Sequence, residues 1–166
     1  MLSRASWAYD SDARITEYNP DKARAMLKQL GVENLELTLW VPSASQSWNP
    51  SPLKTAELIQ ADLAQIGVSV SIVAVEGRFQ EARLMQMNHD LTLTGWATDS
   101  NDPDSFFRPL LSCAAINSQT NYAHWCNSEF DAELQQALLS QQLASRIEHY
   151  DRAQLMLARE LPVLPL

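Results

Sequence analysis

The chain has 166 residues and a mass of 18.6 kDa, which suits one domain of ordinary size. Hydrophobic residues make up 46% and charged residues 19%, a balance that excludes a disordered chain. The net charge is −8, from 20 acidic and 12 basic residues, so a nucleic-acid partner is not expected. The same charge weakly favours an amine-bearing ligand, although acidity that serves only solubility is the alternative.

Neither end of the sequence has the features of a natural terminus. Met1 is followed by no apolar leader segment, and the chain closes on the apolar, proline-containing stretch 161–166. We therefore expect both ends to be cuts within a longer chain. On this basis the protein is either cytoplasmic or a piece of a longer exported one.

The first elements are predicted from capping residues and periodicity. Asn19 is the predicted N-cap of the first helix, because Pro20 follows it in a position that suits the first helical residue. Gly31 is predicted to end this helix. Strict alternation over 35–41 predicts a strand, and a polar loop over 42–52 follows. These patterns indicate a helix and then a strand at the start of a layered fold.

The next elements continue the alternation of helices and strands. They are a helix over 53–66, a strand over 68–75, a weaker helix over 78–88 and a strand over 90–96. This order predicts an α/β fold with a mixed, largely parallel sheet flanked by helices.

The remainder of the chain is predicted to be helical. Asp102 is expected to be the N-cap of a short helix over 103–112, and a cysteine-bounded loop follows. Two helices are predicted over 128–140 and 145–160, the second opened by a capping box of Ser145 and Glu148. No linker is visible, so residues 1–166 are expected to form a single domain with a helical C-terminal part.

Two loops that follow predicted strands each carry an aromatic and a polar side chain. Gln46 and Trp48 follow the first strand, while Trp96 ends the third strand and Asp99 lies just past it. Ligands of open α/β sheets bind outside the carboxyl ends of the strands, so these side chains could form one wall of a ligand site. The alternative is that both tryptophans are ordinary, half-buried loop residues.

Catalytic and metal-binding motifs are weak. The chain has no nucleophile elbow, no phosphate-binding glycine loop and no histidine with an evident serine or cysteine partner, so an enzyme is not expected. Cys113, His124, Cys126 and the distant His89 lack zinc-ligand spacing and a clear fourth ligand. The two cysteines could form a disulfide or be unrelated buried thiols.

Four motifs together resemble the family 5 extracytoplasmic solute-binding proteins, which are the dipeptide, oligopeptide and nickel binders of ABC importers. The resemblance covers nearly the whole chain, and it rests on four segments in the expected order: 18–27, 56–68, 95–107 and 112–126. It implies that residues 1–166 are most of the C-terminal lobe (lobe II) of a two-lobed protein.

The resemblance also implies a function and roles for particular residues. The whole protein would be a monomeric, non-catalytic periplasmic component without a cofactor, which captures an oligopeptide or antimicrobial peptide and delivers it to an inner-membrane ABC permease. Asp99 would pair with the free amino terminus of the peptide, and Trp96 would pack beside it. Cys113 and Cys126 would form a disulfide, as in the dipeptide-binding branch of the family.

Gln46 and Trp48 depart from the pattern of the dipeptide binder. That protein has an arginine and a tyrosine at these positions, and the arginine binds the ligand carboxylate. Because Gln46 carries no charge, it cannot neutralise a carboxylate. The departure favours a longer peptide, a non-peptide amine or a haem-like ligand over a free dipeptide.

A second class of function remains open at this stage, namely a cytoplasmic α/β enzyme or interaction module unrelated to transport. A count of free thiols separates the two, because the periplasmic reading requires that Cys113 and Cys126 be paired.

Overall fold

The computed structural model describes residues 2–14, 17–76, 84, 86, 88–98 and 100–166. The helix predicted over 78–88 falls largely outside these residues. The chain divides into two compact units, one of residues 18–95 and one of residues 1–17 with 96–166, and each is described by itself. The single domain expected over residues 1–166 stays a prediction.

The unit of residues 18–95 is a parallel sheet with helices packed against it. Its elements in chain order are α1 (Pro20–Gln29), β1 (Glu36–Pro42), α2 (Pro52–Ala64), β2 (Ser69–Val75) and β3 (Leu91–Thr92). The strands lie in the order β2-β1-β3, and both described pairings are parallel. The predicted α/β class with a largely parallel sheet is therefore confirmed.

Local signals explain why these elements begin and end where they do. The Asn19 side chain accepts a hydrogen bond from the Lys22 N–H at 2.8 Å, as its predicted capping role requires. Gly31 follows α1 with φ +68°, a conformation that glycine adopts without strain. Gly67 adopts φ +84° in the turn before β2 in the same way.

The core of this unit lies between the sheet and the two helices. Alternate residues of β1, Leu39 and Val41, are buried together with Ala56 of α2 and Val70 of β2. Leu27 of α1 packs against the same cluster. The strand face formed by alternate residues thus packs against the helix faces formed by residues three or four apart. This packing fixes the register of β1.

The third strand is much shorter than the predicted 90–96. Leu91 and Thr92 pair with Leu39 and Trp40, and the Leu93 N–H adds one hydrogen bond to the Trp40 carbonyl at 2.9 Å. Ahead of the pair, the Asp90 carboxylate accepts hydrogen bonds from the N–H and hydroxyl of Thr38 at 2.7 and 2.8 Å. This side-chain clamp holds a strand that has few backbone bonds of its own.

The other unit is helical and contains α3 (Asp104–Leu111), α4 (Cys113–Asn117), α5 (Ser128–Leu139) and α6 (Leu143–Glu160). Helix α4 lies inside the stretch that was predicted to be a loop. Helix α6 begins at Leu143, so the capping box predicted at Ser145 is wrong: Ser145 lies within the first turn, where its hydroxyl bonds that of Ser140 at 3.2 Å. The core consists of fully buried Phe107, Leu111, Phe130, Leu134, Tyr150 and Leu157 with three alanines.

Candidate functional site

The loop between β1 and α2 carries two of the predicted ligand residues, Gln46 and Trp48. The Gln46 N–H bonds the Asn49 carbonyl at 2.9 Å, and the Asn49 N–H bonds the Gln46 carbonyl at 3.2 Å, so Trp48 lies inside a closed turn. The Asn49 side chain donates to the Thr55 hydroxyl at 3.0 Å and accepts from the Ser51 N–H at 2.9 Å. The turn is therefore fastened to the start of α2, while 41% of Trp48 stays exposed.

The side chain of Gln46 is engaged with its own loop. Its Nε2 donates to the Ala44 carbonyl at 3.2 Å. The amide remains uncharged, so at this position the loop offers hydrogen bonds and no positive charge.

The segment that follows β3 carries Trp96, which is 40% exposed. Asp99 lies outside the described residues, but those on either side of it are described. The hydroxyls of Thr98 and Ser105 donate to the Ser100 carbonyl at 2.8 and 3.2 Å, and the Ser100 hydroxyl accepts from the Asp102 N–H at 3.0 Å. Thr98, Ser100, Asp102 and Ser105 are thus linked by short-range hydrogen bonds.

The same segment is anchored to α6 through Asp102. One carboxylate oxygen accepts from Arg146 Nη2 at 2.7 Å, and the other accepts from the Tyr150 hydroxyl at 3.1 Å. Asp102 also accepts from the Asp104 N–H at 3.0 Å. The prediction that Asp102 is the N-cap of this helix is wrong, because α3 begins one residue later than predicted and its N-cap is Pro103. Trp7 completes the group, with the Arg146 guanidinium 5.1 Å from its ring centroid.

The protonation of this anchor follows from its contacts. Burial disfavours the charged form of Asp102, but hydrogen bonds from Arg146, the Asp104 N–H and Tyr150 outweigh it, so the pKa of Asp102 lies below its ordinary value of 3.8. Burial, with the Asp102 charge beside it, raises the pKa of Tyr150 to about 12. At neutral pH the carboxylate is charged and the phenol keeps the proton that it donates.

A disulfide joins Cys113 and Cys126 and closes the stretch after α3. The pairing implied by the family resemblance is therefore confirmed, and it removes both sulfurs as metal ligands. Inside the stretch, buried Asn121 donates to the carbonyls of Ser112 and Trp125 at 3.1 and 2.7 Å. The cross-link and the amide together fix the conformation of this segment.

The predicted ligand residues are distributed over both units. Gln46 and Trp48 lie in one loop of the sheet unit. Trp96 is the first residue of the 96–166 stretch of the helical unit, and Asp99 is not described. The wall made of all four therefore stays a prediction. Arg146 and Tyr150 were missed by sequence reasoning, because their contacts with Asp102 span 44 and 48 residues and leave no local pattern.

Other kinds of site receive no support from the residues that the structure describes. Among these residues, no group of three or more histidine, cysteine, aspartate or glutamate side chains is placed to hold a metal ion. None of the described helices combines the length and apolar character needed to cross a membrane.

Comparison with known proteins identifies the family. Residues 1–118 match the bacterial extracellular solute-binding proteins, family 5. The whole chain is 78% identical to the peptide transport periplasmic protein SapA of Salmonella typhimurium and 75% identical to the probable ABC transporter periplasmic-binding protein SapA of Escherichia coli. It spans 30% of the length of each of these relatives.

A solved structure shares the fold. The dipeptide-binding protein of a Pseudoalteromonas species, crystallised in complex with Met-Leu, is 41% identical and superposes with a TM-score of 0.92. The alignment covers 97% of this chain and 32% of that one. The chain therefore belongs to family 5 of the bacterial extracellular solute-binding proteins.

Proposed function

We propose that the chain is part of the peptide-binding component of an ABC importer, located in the periplasm. The observation that carries this proposal is the 78% identity over the whole chain to a relative named as a peptide transport periplasmic protein. The likeness to a protein crystallised with Met-Leu supports a peptide as the ligand. The Cys113–Cys126 disulfide supports an oxidising compartment.

The proposed role is capture and delivery without catalysis. The component binds an oligopeptide or an antimicrobial peptide as a monomer and presents it to an inner-membrane permease. It has no nucleic-acid partner, in keeping with the net charge of −8.

We assign the ligand contacts of this chain to four residues. Asp99 pairs with the α-ammonium group of the peptide, and Trp96 packs beside the bound chain. Trp48 offers an exposed aromatic surface, and Gln46 offers hydrogen bonds. Because Gln46 supplies no positive charge, the carboxylate of the ligand is held elsewhere, which favours peptides longer than a dipeptide.

The substitution Asp99→Asn tests this assignment in the full-length gene product. It keeps the size of the side chain and removes the carboxylate charge, so the pair of opposite charges is replaced by a hydrogen bond from the ammonium group to an uncharged amide oxygen. We expect peptide affinity to fall roughly thirtyfold, or about 2 kcal/mol. Isothermal titration calorimetry with a free peptide and with the same peptide N-acetylated gives the comparison, because the acetylated peptide has no ammonium group to pair.

Glu57→Gln is the matched control, since Glu57 is an exposed carboxylate on α2 and its loss changes the net charge equally. The control should leave both affinities unchanged. Equal losses for free and acetylated peptides in Asp99→Asn would mean that Asp99 shapes its loop and does not bind the amino terminus. No binding of any peptide by the unmodified protein would refute the proposed function itself.

A further inference from the structure

The Trp48 ring contacts the backbone of Gly95. A Cβ atom built on Gly95 would overlap Cγ and Cδ2 of Trp48 and lie 2.6 Å from its Cδ1. The indole ring therefore lies directly against the bare backbone of Gly95. No side chain, not even a methyl group, fits between them.

The requirement at this position is for space and not for an unusual backbone conformation. Gly31 and Gly67 are the described glycines with positive φ, and Gly95 is not among them. An alanine could therefore adopt the Gly95 backbone, but its methyl group would have to displace the Trp48 ring.

The ring has little freedom to move away through its own loop. Trp48 lies inside the turn closed by the reciprocal backbone bonds of Gln46 and Asn49, and Asn49 is tied to Thr55 of α2. A methyl group at residue 95 must then either change the ring's rotamer or open the turn. Each outcome alters the exposed face of the indole.

We infer that Gly95 is a positioning residue: its bare backbone lets the Trp48 indole lie where its exposed surface contacts the apolar or aromatic side chain of a bound peptide. One ring face is covered by the Gly95 backbone, while 41% of the residue stays exposed to meet a ligand. This inference rests on the proposed function, because it assigns the ligand side chain that Trp48 contacts. An exposed indole face stacks on aromatic or aliphatic groups and discriminates poorly among polar ones.

A double-mutant cycle tests the inference in the full-length gene product, with Gly95→Ala, Trp48→Ala and the combination of both. The ligands are two peptides of equal length that carry phenylalanine or serine at one varied position. We expect Gly95→Ala to weaken binding of the phenylalanine peptide about tenfold while Trp48 is present, and to have no effect in the Trp48→Ala background. The serine peptide should lose much less in either background.

Two further variants separate a local effect from a general one. Thr94→Ala changes the exposed neighbouring residue and should leave affinity unchanged. Trp48→Phe combined with Gly95→Ala should recover part of the lost affinity, because a smaller ring leaves room for the methyl group. If Gly95→Ala alone does not fold, the combination with Trp48→Ala should fold.

The contact between Gly95 and Trp48 can also be measured without any ligand, so this inference is tested separately from the proposed function. The near-ultraviolet circular dichroism contributed by Trp48, obtained by subtracting the Trp48→Ala spectrum, should change in Gly95→Ala. Equal losses of affinity with and without Trp48, an unchanged Trp48 spectrum, or a double variant that does not fold would each overturn the inference.

Discussion

Replacing Arg146 by methionine should reveal how strongly the segment after β3 is anchored. Methionine keeps the aliphatic stem but removes three hydrogen bonds: to Asp102 at 2.7 Å, to the Ala137 carbonyl at 3.0 Å and to the Tyr150 hydroxyl at 3.2 Å. It also removes the guanidinium from the Trp7 ring. Asp102 would then keep only the Asp104 N–H and the Tyr150 hydroxyl.

The expected loss can be worked from these contacts. The hydrogen bond to the charged Asp102 contributes about 1.5–3 kcal/mol, each bond to an uncharged acceptor about 1, and the cation–π contact about 0.5–1. The Arg146 and Asp102 side chains are 22% and 33% exposed, so solvent weakens their ion pair, and neighbouring contributions are not additive. We therefore expect Arg146→Met to lower the free energy of unfolding by about 3 kcal/mol.

Equilibrium urea unfolding followed by circular dichroism measures this loss. Arg159→Met is the matched control on the same helix, because its guanidinium pairs with Glu160 while 72% exposed, and it should cost less than about 0.5 kcal/mol. Equal stability of the two variants would show that the Asp102–Arg146 pair contributes nothing in solution. A double-mutant cycle with Asp102→Asn should give a coupling energy of about 1–2 kcal/mol.

Two further predictions concern the same unit. Replacing both Cys113 and Cys126 by alanine should lower the free energy of unfolding by about 3 kcal/mol, and neither thiol of the native protein should react with iodoacetamide before reduction. The pKa of Asp102 is lower in the folded state, so its contribution is present above its ordinary pKa of 3.8 and is lost as pH falls through the folded value. The stability difference between unmodified protein and Asp102→Asn should therefore be constant from pH 7 to about pH 5 and shrink below about pH 4; a difference that grows on acidification would contradict the lowered pKa.

The part of the fold that could be predicted is the part controlled by neighbours in sequence. Asn19 and Gly31 mark the limits of α1 because a cap and a left-handed turn need only residues within one helical turn. The same local reasoning was wrong at Ser145, where a serine and a glutamate at capping-box spacing lie inside α6. Helix α4 was missed because its five residues offer too short a period to recognise.

The residues of the candidate site likewise divide into those that local sequence could predict and those that depend on tertiary contacts. Gln46 and Trp48 could be nominated because they follow a predicted strand, and Trp96 because it ends one, whereas the role of Asp99 came from the family resemblance. The anchor of Asp102 could not be predicted, because its partners lie on a helix far along the chain and the acidic stretch reads equally well as simple capping. The need for glycine at position 95 depends on the tertiary contact with Trp48.

The strand order has a consequence for the way the sheet assembles. Strand β1 lies between the other two described strands and precedes both in the chain, and it pairs with β2 across α2. The apolar cluster of this unit also includes Leu91 and Leu93 of the β3 segment. Strand β3 must come from further along the chain and gains only two paired residues with the Asp90 clamp. We expect the amide hydrogens of β1 that face β2 to exchange slowest and those that bond β3 to exchange sooner, because β2 pairs with β1 along seven residues and β3 along two.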